Sequence, residues 1–173
     1  MKNLAIIFIL IIFNSLSLFS YSIEQAMRDS YVEIEKYKKE VRNNNDDEMY
    51  EYKVECKTIE IVMSKYLENN YSTADMSTAI EYAYKEYDKL LNKYYFLYRD
   101  AVSEETAKAL QKEQRSWLKV RDAYSEYLDN TIAHLYTTGF AGSETVIELQ
   151  NEKLEFLKER VDILFTYYYN TTF

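Results

Sequence analysis

The amino-acid sequence predicts an all-α protein, an antiparallel helical bundle of about five helices. The 173 residues include no proline and only two glycines, Gly139 and Gly142, so tight turns between strands have little support. Apolar side chains instead recur in steps of three and four residues along most of the chain, which is the spacing of one helix face. The chain therefore predicts long helices joined by short polar connections.

Residues 1–22 have the pattern of a secretory signal peptide. A single charge, Lys2, precedes a run from Leu4 to Phe19 that is almost wholly apolar, and small residues follow. Cleavage is predicted after Ser22, with cleavage after Ser20 and an uncleaved membrane anchor as alternatives. The predicted location is the periplasm, the cell envelope or the medium, and the signal peptide before cleavage is the only predicted membrane contact.

Residues 23–71 predict an N-terminal helical hairpin. The polar run at residues 43–47 separates its two helices, and the second ends near Asn69 and Asn70. The apolar stripe of the first helix is Ile23, Met27, Ile34, Tyr37 and Val41. The stripe of the second is Met49, Tyr52, Cys56, Ile59, Met63 and Tyr66.

Cys56 is the only cysteine, so an intrachain disulfide is excluded. Its place on the apolar stripe predicts a buried thiol, and a reactive or intermolecular role is the alternative. Nineteen tyrosines lie mostly at core spacing as well. They predict aromatic packing, with a haem or sugar site as the alternative.

Residues 72–168 predict three longer helices, and residues 169–173 a frayed tail. The first of the three begins after Ser72 or Thr73. Ser103, which two glutamates follow, has the features of an N-cap for the next helix, which runs about 30 residues towards Leu135. The last helix has apolar residues at Ile147, Leu154, Leu157, Val161, Leu164 and Tyr168.

Without the signal peptide, 20 basic residues face 29 acidic ones, a formal charge of −9. Such a chain is a poor nucleic-acid binder and is attracted to cationic partners at low ionic strength. The alternative is that the charge serves only solubility.

One helix face carries polar groups where apolar ones are expected. Gln114, Trp117 and Arg121 share this face, and a buried guanidinium needs partners. Asp88 and Asn92, four residues apart on the preceding helix, are the predicted partners. Arg160 is predicted to join this structural network, and the alternative is that Asp88 and Arg160 point to solvent.

Signatures of catalysis are missing from the sequence. It has no glycine-rich phosphate loop, no nucleophile elbow and no cysteine–histidine metal spacing. The sole histidine, His134, lies near a helix end and is interpreted as a structural or capping residue. The prediction is a protein that is not an enzyme, with no cofactor and no metal.

Three motifs follow one another along residues 76–160. Their residues are Met76, Tyr87, Asp88, Leu91, Asn92, Tyr95, Leu110, Gln114, Arg115, Trp117, Arg121, Asp122, Ala123, Gly142, Ser143 and Arg160. In this order they resemble the LprI-type lysozyme inhibitor domain family. The resemblance covers about residues 72–168, so the last three helices would form that domain. The family's cysteines are missing, with Ala79, Tyr124 and a polar residue near Asn151 in the corresponding places.

The resemblance implies an exported bacterial envelope protein that binds a cationic lysozyme and blocks its cleft. The predicted contact is the loop at residues 138–143, because it is the only glycine-containing loop in the sequence. The alternative is a non-catalytic envelope scaffold that binds another protein or peptidoglycan. The predicted partner-binding residues are Thr138, Gly139, Phe140, Gly142 and Ser143.

Overall fold

The computed structural model describes residues 21–43, 45–139 and 142–172. Within these residues the chain forms six α-helices and no strand, so the predicted all-α class is confirmed. The helices are α1 (Ile23–Asp29), α2 (Tyr31–Arg42), α3 (Asp47–Leu67), α4 (Thr73–Ala101), α5 (Glu104–Thr138) and α6 (Ser143–Thr172). Most of the predicted signal peptide, residues 1–20, lies outside the described residues.

Polar side chains start four of the helices as the sequence rules require. In each case the side-chain oxygen accepts a hydrogen bond from the backbone N–H three residues later, which satisfies a donor that the helix itself leaves unpaired. The predicted caps of α4 and α5 are confirmed. The four N-cap residues are Ser22, Asp46, Ser72 and Ser103.

Two predicted boundaries were wrong. The first predicted helix is divided at Ser30, whose hydroxyl donates to the carbonyl oxygen of Ala26 at 2.6 Å. Such a bond from a serine side chain bends a helix. The predicted frayed tail is helical through Thr172, because Tyr169 packs 5.6 Å from Phe165 and its hydroxyl donates to Asp46.

The helices α4 and α6 form the centre of the molecule. They run parallel, since Ser77 bonds Gln150 near their N-terminal ends and the Tyr98 ring lies 5.4 Å from the Tyr167 ring near their C-terminal ends. From α3 to α6, each helix runs antiparallel to the next one in the chain. Helices α4 and α6 therefore point in the same direction, because each is antiparallel to α5. Their shared core includes Ile80, Ala83, Tyr87, Leu90, Leu91, Tyr94, Leu154, Leu157, Val161, Leu164 and Phe165.

Helix α3 covers one side of this central pair with aromatic contacts. The Tyr52 ring stacks on Phe165 at 3.8 Å and meets the edge of Tyr94 at 5.3 Å. Glu55 accepts a hydrogen bond from the Tyr94 hydroxyl at 2.6 Å. Burial raises the pKa of the half-buried Cys56 thiol to about 12, so the thiol stays protonated at neutral pH and is a poor nucleophile.

Helices α1 and α2 pack against α3. Ala26 of α1 is fully buried with Val62, Tyr66 and Ala79. The division into an N-terminal hairpin and a separate second domain stays a prediction. Among the described residues, no helix has both the length and the hydrophobicity that crossing a membrane requires.

Helix α5 lies against the other side of the central pair and is far less buried. Its 35 residues bury only Leu110, Gln114 and Leu128. The helix therefore exposes most of its length to solvent. It also connects the parallel central helices, because it begins beside the end of α4 and ends before the start of α6.

Candidate functional site

Trp117 lies between two guanidinium groups that belong to different helices. Its ring centroid is 5.6 Å from the guanidinium carbon of Arg160 on α6 and 5.8 Å from that of Arg121 on α5. The indole also stacks on Phe156 of α6, with centroids 5.5 Å apart and planes 8° apart. Both cations lie within the range of cation–π attraction. The indole therefore connects the two polar groups described next.

Arg160 is the buried member of this cluster, with 4% of its surface exposed. Its Nε and Nη2 donate to Gln114 Oε1 at 2.9 and 2.6 Å, and its Nη1 donates to Glu113 Oε1 at 2.9 Å. A buried guanidinium is tolerated when such partners satisfy it. The alternative in which Arg160 points to solvent was therefore wrong.

Arg121 faces the other way, towards α4. Its Nη1 lies 3.5 Å from Asp88 Oδ1, which is long for a hydrogen bond, while its Nε and Nη2 donate to Asp122 at 2.9 and 2.7 Å. The Asn92 amide donates to the Asp88 carbonyl oxygen at 2.7 Å. The structure thus brings the six predicted network residues into one neighbourhood but gives Arg121 a closer partner on its own helix.

An open cleft of about 300 Å³ separates α4 from α5 beside Arg121. Its walls combine carboxylate, amide and guanidinium groups with two aromatic rings. No buried side-chain nitrogen or oxygen in the described part of the chain lacks a hydrogen-bond partner, whereas Asn92, Gln111 and Arg115 of this cleft are exposed to solvent. The lining residues are Asp88, Leu91, Asn92, Tyr95, Phe96, Gln111, Gln114, Arg115, Leu118 and Arg121.

The predicted contact loop connects α5 to α6 at one end of the molecule. Thr138 ends α5, and Gly139 follows in the left-handed conformation at φ 69°, which favours glycine. Gly142 is exposed, and a Cβ added there would meet open space. Ser143 is the first residue of α6, and Phe140 lies outside the described residues.

A second groove, of about 320 Å³, lies between α5 and α6 on the face opposite the α4 cleft. The Tyr124 ring lies 5.4 Å from Phe156 and 6.4 Å from Tyr127, so three aromatic rings continue from Trp117 along the surface. The Tyr124 hydroxyl donates to Glu152 at 2.8 Å, and this hydrogen bond raises the pKa of Tyr124. The groove is lined by Val120, Tyr124, Glu152, Glu155, Phe156 and Glu159.

Two contacts of this region were missed by the sequence analysis. Glu113 neutralises Arg160, although the sequence analysis gave Glu113 no role in the network. Its long side chain reaches around the helix edge, which helical spacing alone does not show. Phe156 lay outside the apolar stripe of the last helix for the same reason, since it points sideways towards α5. The available signal was Phe156 itself, a large aromatic residue outside the stripe that needs a partner on another helix.

The histidine, cysteine and acidic side chains of the described residues do not form the arrangements found in metal sites. His134 is exposed, and the described residues contain no group of three histidine, cysteine or acidic side chains that could hold a metal ion. The clefts contain carboxylates, amides and aromatic rings, which suit recognition by contact.

Comparison with known proteins identifies the family. The family model described as "Lysozyme inhibitor LprI" matches residues 65–164, which is more than half of the chain. The chain therefore belongs to the LprI family. Comparison with the curated proteins and with the solved structures gave no match. The matched range includes the end of α3, all of α4 and α5 and most of α6.

Proposed function

We propose that this LprI-family protein is an exported, non-catalytic inhibitor that binds a cationic lysozyme and blocks its substrate cleft. The observation that carries the proposal is the match to the lysozyme inhibitor family over residues 65–164. The description of that family is of an inhibitor. The partner is accordingly a protein, and the activity is steric exclusion of substrate.

The charge of the chain supports the choice of partner. At −9 without residues 1–22, it attracts a cationic protein and raises the rate of encounter, and added salt screens this attraction. Attraction alone does not block a cleft, because inhibition also needs a protruding group that occupies it.

The loop of Thr138, Gly139, Phe140, Gly142 and Ser143 is the segment that we propose to enter the cleft. Its position at the tip of the α5–α6 hairpin supports this role, since Thr138, Gly139 and Gly142 are all exposed. Backbone N–H groups at the glycines and the Ser143 hydroxyl would donate to the acidic groups of a glycosidase site. Phe140 would supply the apolar anchor.

The fold around Ser22 supports export with cleavage after Ser20, the second of the two predicted positions. Ser22 caps α1, and its backbone N–H donates to the Gln25 side chain at 2.8 Å. Asn70 donates to the carbonyl oxygen of Tyr21 at 3.1 Å. Cleavage after Ser22 would remove both residues and weaken the start of the fold. The intact mass of the exported protein distinguishes an N-terminal Tyr21 from an N-terminal Ile23.

Inhibition of cell-wall lysis by a cationic lysozyme tests the function. We expect the mature protein to inhibit at low salt and less strongly as salt increases. The triple variant Phe140→Ala/Gly142→Ala/Ser143→Ala should lose inhibition and keep its helix content by circular dichroism. Gly139 is kept, because its positive φ would strain any other residue there.

The matched control is Tyr71→Ala, which removes an exposed ring from the α3–α4 connection instead. It should inhibit as the wild type does. If the triple variant inhibits equally well, the loop is not the contact. If the wild type does not inhibit at low salt, the lysozyme function is wrong and an envelope scaffold is favoured. Equal inhibition by an unrelated acidic protein would reduce the effect to charge neutralisation.

A further inference from the structure

The groove between α5 and α6 exposes apolar surface that the fold leaves uncovered. Val120 is 57% exposed and Tyr127 is 62% exposed, and Tyr127, the nearer of the two to the loop, lies about three turns of α5 before it. They share one stripe of α5 with Tyr124, at steps of four and three residues. Exposed apolar patches edged by polar groups mark interaction surfaces.

The edge of this groove is acidic. Glu152, Glu155 and Glu159 occur at steps of three and four on α6 and face the aromatic stripe. The six lining side chains include three carboxylates and no cation. Glu155 forms an ion pair with Lys158 at 2.7 Å, and Glu152 accepts a hydrogen bond from the Tyr124 hydroxyl. The negative charge of Glu159 is therefore the least balanced by neighbouring groups.

We propose that this aromatic groove is the docking surface for the cationic protein partner, which inserts a lysine or arginine side chain between the rings and the three glutamates. Aromatic faces and carboxylates both attract such a cation, and the alkyl part of the side chain packs against Val120. A cationic partner is proposed because its positive charge complements the three glutamates of the groove. The inference rests on the proposed function and adds a second contact to the loop.

The groove and the loop lie on the same hairpin, so one partner can reach both. The 15 residues from Tyr124 to Gly139 correspond to about 22 Å along a helix, which is within the span of a standard protein interface. In this arrangement the groove supplies affinity, and the loop blocks the cleft. A second copy of this chain is disfavoured as the occupant, because it would bring the same three glutamates against themselves.

Trp117 provides a direct readout, since it is the only tryptophan and stacks on Phe156 at one end of the groove. The test titrates the mature protein with an oligolysine peptide that contains no tryptophan, and separately with a cationic lysozyme. Peptide binding is followed by Trp117 emission and lysozyme binding by calorimetry. We expect Glu155→Gln/Glu159→Gln and Val120→Ser/Tyr127→Ser each to weaken both affinities about tenfold.

Two matched controls lie on α2, where the same residue types are exposed. Glu33→Gln/Glu40→Gln makes the same change in net charge, and Val32→Ser/Tyr31→Ser removes the same apolar groups. Both should change the affinities less than about twofold. Equal losses in the groove and control variants would overturn the proposal, since net charge alone would then explain binding.

The two ligands separate this inference from the proposed function. If lysozyme binds the wild type and the groove variants equally, the groove is wrong and the function stands. If lysozyme does not bind the wild type, the proposed function is wrong, and the oligolysine peptide then tests the groove. Loss of peptide affinity in the groove variants alone would support a cationic occupant. Absence of peptide binding to the wild type would overturn the groove proposal. A wild-type dimer that only the groove variants dissociate, seen by sedimentation, would also overturn it.

Discussion

The α3 side of the central α4/α6 pair is closed by aromatic packing, whereas the α5 side combines the stack of Trp117 on Phe156 with a few polar contacts and stays grooved. On the α3 side, Tyr52, Tyr94 and Phe165 contact one another within 5.3 Å. On the α5 side, Arg160 and Trp117 replace such packing. Openings of about 300, 560 and 320 Å³ are among those that remain there. One side therefore supplies stability, and the other leaves grooved surface open to solvent.

The largest expected difference in stability comes from replacing one tyrosine on each side with alanine. Tyr94→Ala should lower the free energy of unfolding by about 3–5 kcal/mol, because Tyr94 is 2% exposed and its hydroxyl bonds Glu55. Tyr127→Ala on α5 should change it by less than about 0.5 kcal/mol. Urea denaturation followed by circular dichroism measures both. Similar losses would contradict the division between a stabilising side and a grooved side.

The two guanidinium groups beside Trp117 give the next contrast. Arg160→Ala should destabilise the fold by about 2–3 kcal/mol, since it leaves the buried Gln114 amide without its partner. Glu113 limits the loss, because its side chain is 53% exposed and can be hydrated.

Arg121→Ala should lower the free energy of unfolding by less than about 1 kcal/mol, as for other partly exposed ion pairs. Thermal and urea unfolding of both variants, with Arg160→Met as a volume control, provide the measurement. If Arg121→Ala lowers the free energy of unfolding more than Arg160→Ala does, the predicted pair of Asp88 and Arg121 contributes more stability than the 3.5 Å between its atoms indicates.

The smallest effect concerns a carboxylate on the α3 side. Partial desolvation raises the pKa of the surface carboxylate Asp162, and it outweighs the hydrogen bond from the Tyr52 hydroxyl, which by itself favours the ionised form. The native state then binds the proton more tightly than the unfolded state. The stability from this group is complete below about pH 4 and is lost as the pH rises through the native pKa.

Asp162→Asn keeps an acceptor oxygen for Tyr52 and removes the ionisation. It should therefore make the protein slightly more stable at neutral pH and remove this part of the pH dependence. Unfolding curves between pH 3 and pH 8, compared with the wild type, test the sign. A variant that is less stable at pH 7 would show that the ionised carboxylate is favoured in the native state.

Local rules predicted the helices well because caps and spacing act over a few residues. Ser72 and Ser103 each identified a helix start. The apolar stripe of the sequence pattern includes the buried α6 residues Leu154, Leu157, Val161 and Leu164. The parallel contact between α4 and α6 was not predictable in this way. Periodicity shows which face of a helix is apolar but not which other helix covers that face.

Site prediction had a similar limit. Gln114, Trp117 and Arg121 were found because polar groups on an inward face require partners. The partner of Arg160, Glu113, was missed because its exposed position gave no such signal. The groove between α5 and α6 was missed as well, since it depends on the distance between two helices. The role of the loop at residues 138–143 stays a prediction.

The parallel central pair has a consequence for the order of folding. Ser77 and Gln150 are 73 residues apart, so the part of the α4 core face that α6 covers remains exposed until the last helix has been synthesised. Hairpin formation by neighbouring helices is fast, whereas closing this long-range contact is the slower step. No proline isomerisation can delay it, because the chain contains no proline. The arrival of α6 thus decides when the nascent chain becomes a folded protein.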